Sequence, residues 1–140
     1  MTELTQDVRV AASVEQVWAD LTTADVAAWF WPPRLEATAV VELEPDGRWE
    51  VRSEVADMAV EGVIRAVDPM RLLDIDWRWA GERPVTQVGV RLSSVSSVAG
   101  QVTQVSVTHR GFASPEERDA HVQGWTDCLQ RLVARHEPTP

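Results

Sequence analysis

The sequence predicts an α+β fold in which a curved antiparallel sheet of about seven strands wraps a long C-terminal helix, with two short helices after the first strand. Three observations predict it. Six consecutive segments from Ala37 to His109 alternate apolar and polar side chains and are joined by short connections, which is the pattern of an antiparallel meander. One amphipathic segment then runs from Ser114 to His136, and some twenty helical residues would reach about 30 Å, the width of a whole sheet. Before the meander, a short apolar strand is followed by two helix patterns.

Each element has its own local reason. The first strand is read around Val8 to Val10. Ser13 opens "SVEQVWADL", where Ser13 and Gln16 have capping-box spacing and Val14, Val17, Trp18 and Leu21 recur at helical intervals. "TADVAAWFW" reads as a second short helix, ended by Pro32 and Pro33 because a residue before proline avoids helical angles. "ATAVVEL" leads into the turn "PDG", and "RWEVRSEV" sets Trp49 and Val51 against Arg48, Glu50 and Arg52. In "MAVEGVIRAV", Met58, Val60, Ile64 and Ala66 share a phase. "LLDIDWRW" places Leu73, Ile75, Trp77 and Trp79 on one face and Asp74, Asp76 and Arg78 on the other. After "AGERP", Val88, Val90 and Leu92 alternate; after the small, polar "SSVSSVAGQ", which suits a hairpin connection, Val105, Val107 and His109 do. Ser114 is a good N-cap, with Pro115 at the first helical position and Glu117 completing a second capping box. His121, Trp125, Cys128, Leu129 and Leu132 form the apolar stripe of this helix, widened by Val122 and Val133.

The 140 residues suit a single domain, 1–140, with no internal repeat and no linker; only the closing "HEPTP" reads as disordered. A net charge of −9 is spread along the chain, which argues against binding a phosphate backbone or an anionic membrane surface. The start, "MTELTQDVRV", lacks the basic and apolar regions of a signal peptide, and no apolar run is long enough to span a bilayer. The lone Cys128 excludes an internal disulfide and fits a reducing cytoplasm, the expected location. All thirteen basic residues are arginine, read as the codon bias of a GC-rich, bacterial genome. No G-x-S-x-G, G-x-G-x-x-G or Walker sequence occurs, and the histidines lack a third ligand at metal spacing. No cofactor, metal or nucleic acid is expected. The oligomeric state is left open.

The order of elements, together with "VEQVWADLT", "WFWP", "GRWEV", "GVIRAVDPMRLLDIDWRW" and "VTHRGF…EERDAHVQGWTDCLQRL", resembles the START-like helix-grip (SRPBCC) superfamily. Within it the chain is similar to the branch of the activator of heat-shock-protein-90 ATPase, over roughly Val8 to Val133. The closing segment is the most specific part, placing Gly111, Phe112, His121, Gly124 and Trp125 at the family's spacing. The eukaryotic co-chaperone of that branch has an additional N-terminal domain that carries much of its client contact, and 140 residues leave no room for one, so chaperone activation is not the expected role. What the resemblance implies is a hydrophobic cavity between long helix and sheet. Members use it for lipids, sterols, polyketides or related molecules; some are cyclases or aromatases, and some bacterial relatives bind a reactive natural product.

The candidate ligand-binding residues are Trp29, Trp31, Trp49, Trp77, Trp79, His109, Phe112, His121 and Trp125. Each tryptophan carries roughly 150–250 Å² that favours burial, so these rings either close the core or line a cavity. Trp79, near a strand end, is expected at the mouth with its N–H available to a ligand, and Trp77 deeper. Trp29, Phe30 or Trp31 would border one end. His109 and His121 either bond backbone and lock helix to sheet or serve as general base; they are the two catalytic candidates. Cys128 reads as inert core. Arg34, Glu36 and Glu61 are not placed. The expected function is binding of a small hydrophobic, aromatic or polycyclic molecule. Alternatives are a cyclase or aromatase acting on a polyketide-like substrate, and a protein-interaction module; whether the chain is an enzyme stays open.

Overall fold

The structure is a computed structural model that describes residues 2–82, 85–95, 97–98 and 100–137. The expected connections "AGERP" and "SSVSSVAGQ" and the closing "HEPTP" fall partly outside these residues.

A seven-stranded antiparallel sheet runs in the order β1-β7-β6-β5-β4-β3-β2. Its strands are β1 (Thr2–Val10), β2 (Thr38–Val41), β3 (Arg48–Ser53), β4 (Met58–Asp68), β5 (Leu72–Trp79), β6 (Thr86–Val95) and β7 (Val102–Phe112). The meander β2 to β7 is the one the alternation predicts, and β1 closes it by pairing along the length of β7. β1 is far longer than its apolar end at Val8 to Val10 suggests. Leu4 and Val10 are its buried side chains, so an edge strand of mixed polarity carries too few apolar positions to be read at its N-terminal half.

Between β1 and β2 lie α1 (Val14–Thr22) and two 3₁₀ turns, Ala24–Ala28 and Pro33–Leu35. The capping box forms as expected: the Ser13 hydroxyl accepts from Gln16 N–H at 3.1 Å, and the Ser13 N–H donates to Gln16 Oε1 at 2.9 Å. Helix ends leave carbonyls without intrahelical partners. In the last turns of α1, side chains donate to four carbonyls. Thr22 and Thr23 hydroxyls donate to the Trp18 and Ala19 carbonyls, and the indole N–H groups of Trp29 and Trp49 donate to those of Asp20 and Leu21 at 3.0 Å each. The expected second helix is the 3₁₀ turn, which ends before Trp29, ahead of the prolines.

The long helix α2 (Pro115–Arg135) crosses the sheet's inner face. Ser114 caps it through Glu117 N–H, but the returning Glu117 carboxylate takes the N–H of Ala113 instead of that of Ser114, so the second box closes one residue early. Trp125, Cys128, Leu129 and Leu132 are buried and Val133 packs against them, while Val122 is exposed and stands off the stripe. At its far end Arg135 and His136 hold the buried Asp20 carboxylate at 3.0 and 2.5 Å, tying α2 to α1.

Trp49, Val51, Leu73, Ile75, Val88, Val90, Val105 and Val107 all face inward and are buried, as their alternation predicts. Ala66 departs from that rule. The β4–β5 register shifts between Ile64 and Ala66, so Ala66 pairs with outward Asp74, and Val67, opposite Leu73, packs on the core instead. A bulge inverts every later side chain of its strand, and no period-two reading anticipates it.

Candidate functional site

The interior between α2 and the sheet is nearly solid. Trp29, Phe30, Trp49, Trp77 and Trp125 fill it with the strand valines, leaving a void of about 10 Å³. One further step along α2 the packing opens into a cleft of about 450 Å³. Its helix wall carries Ala120, His121, Gly124, Trp125, Asp127, Cys128 and Arg131. Opposite stand Phe30, Trp31 and Pro32, Met58 at the start of β4, and Trp77 and Trp79 at the end of β5.

Backbone ties hold the "WFW" segment on the helix. Arg131 donates from Nε to the Trp29 carbonyl at 2.9 Å and from Nη2 to the Phe30 carbonyl at 2.8 Å; the Cys128 thiol donates to the same Phe30 oxygen at 2.8 Å. Trp31 then stacks on Trp79 with centroids 6.2 Å apart and planes at 6°. Phe30 packs edge-on against Trp49 and Trp125.

Of the expected ligand residues, Trp31, Trp77, Trp79, His121 and Trp125 meet at the cleft. Trp29, Trp49, His109 and Phe112 do not line it. Trp29 and Trp49 lie in the core with their N–H groups spent on α1. Phe112 packs on His109 and His121, 4.4 and 5.0 Å away by ring centroid. Arg34 and Glu36 are exposed away from the cleft, and Glu61 pairs with Arg52 and Arg78 on the outer face of the sheet.

The two catalytic candidates differ. His109 is fully buried. Its Nδ1 accepts the Trp125 N–H at 2.9 Å, which puts the ring proton on Nε2, 2.6 Å from Thr86 Oγ1; the Thr86 hydroxyl in turn donates to the Trp77 carbonyl at 3.1 Å. Burial, with a smaller contribution from nearby His121, lowers its pKa to about 3. His109 is therefore a neutral link in a closed chain that joins α2, β7, β6 and β5, with neither nitrogen open to a substrate. His121 stands on the cleft wall. Its Nδ1 lies 2.8 Å from the Glu117 carbonyl, which can only accept, so Nε2 is the acceptor for the Trp79 N–H at 3.1 Å.

That bond reverses one expectation. Trp79 sits at the mouth, but its N–H is engaged by His121. The indole N–H that is buried without a partner belongs to Trp77, the deeper ring: among the described residues it is the buried side-chain polar atom lacking a hydrogen bond. Such an atom costs about 1–3 kcal/mol. Trp77 packs edge-to-face with Trp79, His109 and His121.

Pro32, Met58, Ala120, Gly124, Asp127 and Arg131 also line the cleft and were not among the expected site residues. The signal for three of them was present, since Gly124, Asp127 and Arg131 follow His121 at intervals of three or four along one helix face. Cys128 lies in the same wall, buried, and burial raises its thiol to about 11. In the folded protein at pH 8, iodoacetamide labelling of Cys128 is expected to be about a hundredfold slower than in urea, read by mass spectrometry; equal rates would show that the thiol is not sequestered.

A curved meander gripping one long helix, with an aromatic cleft at the helix's side, defines a START-like, helix-grip protein. The chain belongs to the family described as Activator of Hsp90 ATPase homolog 1-like protein, which it matches over residues 11–137. Solved structures agree. Protein Ms6760 from Mycobacterium smegmatis has a TM-score of 0.79 at 20% identity, covering 95% of this chain and 89% of its own. The Aha1 dimer from Colwellia psychrerythraea has a TM-score of 0.77 at 20% identity, covering 98% and 97%. DynU16, a protein of the dynemicin biosynthetic locus, has a TM-score of 0.78 at 22% identity; the match covers 94% of this chain and 46% of DynU16. No curated protein matches the chain in sequence. Among the described residues no helix is long and apolar enough to cross a membrane.

Proposed function

We propose that the chain binds a small hydrophobic molecule, aromatic or polycyclic, in the cleft between α2 and the end of the sheet. The observation that carries this reading is a cleft of about 450 Å³ walled by Phe30, Trp31, Trp77, Trp79 and Trp125, with few polar groups among them. A ring system burying roughly 200 Å² of apolar surface there gains about 5 kcal/mol before association costs are subtracted. A structural neighbour in the dynemicin biosynthetic locus is in keeping with a small-molecule ligand. A reducing cytoplasm, expected from the single cysteine, goes with it.

A cyclase or aromatase has less support. His109 is off the cleft with both nitrogens bonded, and His121, on the cleft, already spends its nitrogens on Glu117 and Trp79. Protein docking is disfavoured by the charge on the outer sheet face, where Arg48, Arg52, Arg65 and Arg78 pair with Glu50, Glu61 and Asp76.

The seven tryptophans report on the proposal directly. Titration with fatty acids, sterols, flavonoids and polycyclic aromatics is expected to give saturable fluorescence quenching at micromolar concentrations of the aromatic classes. Trp79→Phe, which loses the His121 bond and part of the stack on Trp31, should weaken it several-fold. Spectra unchanged by every compound would overturn the reading.

A further inference from the structure

Helix α2 presents Ala120 and Gly124 to the cleft, one turn apart. Gly124 sits in the middle of a 21-residue helix, where glycine is disfavoured against alanine because it loses the most backbone entropy. Neither of the usual reasons for glycine applies. Its φ is not positive, and a Cβ built on it would meet no atom within 4 Å. The protein's own packing thus does not demand a bare backbone at this point, which is exposed on the cleft wall.

Across that cleft stands Trp77, buried to all but 4% and carrying the indole N–H that has no partner. Its neighbours are aromatic rings, Trp79 and His121 among them, and those two rings also line the cleft. Four other indoles nearby are committed, Trp79 to His121, Trp125 to His109, and Trp29 and Trp49 to α1, and Trp31 lies stacked on Trp79 at the mouth.

Resting on the binding reading above, we propose that Gly124 and Trp77 select the ligand: a flat ring laid against the bare α2 backbone at Gly124, bearing a carbonyl-type acceptor that takes the Trp77 N–H. Gly124 sets the thickness that fits, and Trp77 sets the polarity. An uncharged aromatic ketone or quinone has this chemistry, and the corresponding hydrocarbon lacks half of it.

The test compares 2-acetylnaphthalene with 2-ethylnaphthalene, near-isosteres that differ by the carbonyl oxygen, by equilibrium dialysis. Wild type is expected to bind the ketone about tenfold more tightly, the worth of one buried hydrogen bond. Trp77→Phe should abolish that preference, so that ketone and hydrocarbon bind alike, even where the smaller ring weakens both. Gly124→Leu, a better helix former, should melt no lower than wild type yet bind both probes at least tenfold more weakly. If the leucine variant does not fold, Gly124→Ala carries the same comparison with a several-fold loss. Wild-type affinity for both probes in the Gly124 variant overturns the seat, and a preference that is absent or survives in Trp77→Phe overturns the acceptor; the binding reading stands in both cases. Failure of wild type to bind either probe overturns the inference together with the aromatic-ligand reading.

Discussion

Replacing His109 with alanine is expected to lower the unfolding free energy by about 3–4 kcal/mol at pH 7. The side chain is fully buried and joins three partners in series. Its loss strands the Trp125 N–H, removes the donor to Thr86 and leaves a hole among Trp77, Phe112 and Trp125. The same network carries a pH signature. The unfolded chain takes a proton on His109 as the pH falls through about 6.5, whereas the folded protein, with this pKa lowered to about 3, does not. Protons bound only by the unfolded state favour unfolding. This stability is therefore fully present above pH 6.5 and is lost as the pH falls toward 3, by about 1.4 kcal/mol per unit. Between pH 7 and pH 5, urea unfolding of wild type should lose about 2 kcal/mol that His109→Gln does not lose. Identical pH dependence in the two proteins would show that His109 is not held neutral. A structural histidine also predicts that binding in the cleft survives His109→Gln wherever the variant is folded.

Gly62→Val is expected to cost about 2–3 kcal/mol, read as a shift in the urea midpoint without a change in slope. Gly62 lies in β4 opposite Trp49 on one side and Trp77 on the other. A Cβ there would stand 2.7 Å from Ile75 Cγ2 and 2.8 Å from the Trp49 carbonyl oxygen. The second contact is with backbone in the sheet, which cannot step aside as a side chain can. The missing side chain is what allows two neighbouring strands to bring large indoles onto one face. Gly62→Ala should fall between the two, and a valine variant within 0.5 kcal/mol of wild type would mean that β3 and β4 yield more easily than a paired ladder should (the expected scatter for neutral surface changes is about 0.5 kcal/mol).

Much of this architecture was legible in the chain. Alternation located β3, β5, β6 and β7 and the face each buries, because a strand with one wet side must repeat every two residues. Capping residues located both helix starts, because the first N–H groups of a helix need local acceptors. The same rules failed where local signals are weak. The polar half of β1 is a strand only because β7 offers it a ladder, and the bulge near Arg65 that exchanges Ala66 for Val67 arises in the pairing with β5.

The site divides along the same line. Composition and period determined that tryptophans and two histidines would gather on the helix side of the sheet. Only the tertiary structure decided which N–H meets which acceptor. It gave Trp79 to His121, Trp125 to His109, and Trp29 and Trp49 to the end of α1, and it left Trp77 without a partner. Partners such as Trp49 and Leu21, or Trp79 and His121, are 28 and 42 residues apart, and their meeting depends on how far each element is rotated and shifted in the packed whole. A hydrogen bond is decided within a few tenths of an ångström. Sequence period specifies a face, and the packing of helix against sheet supplies the remaining precision.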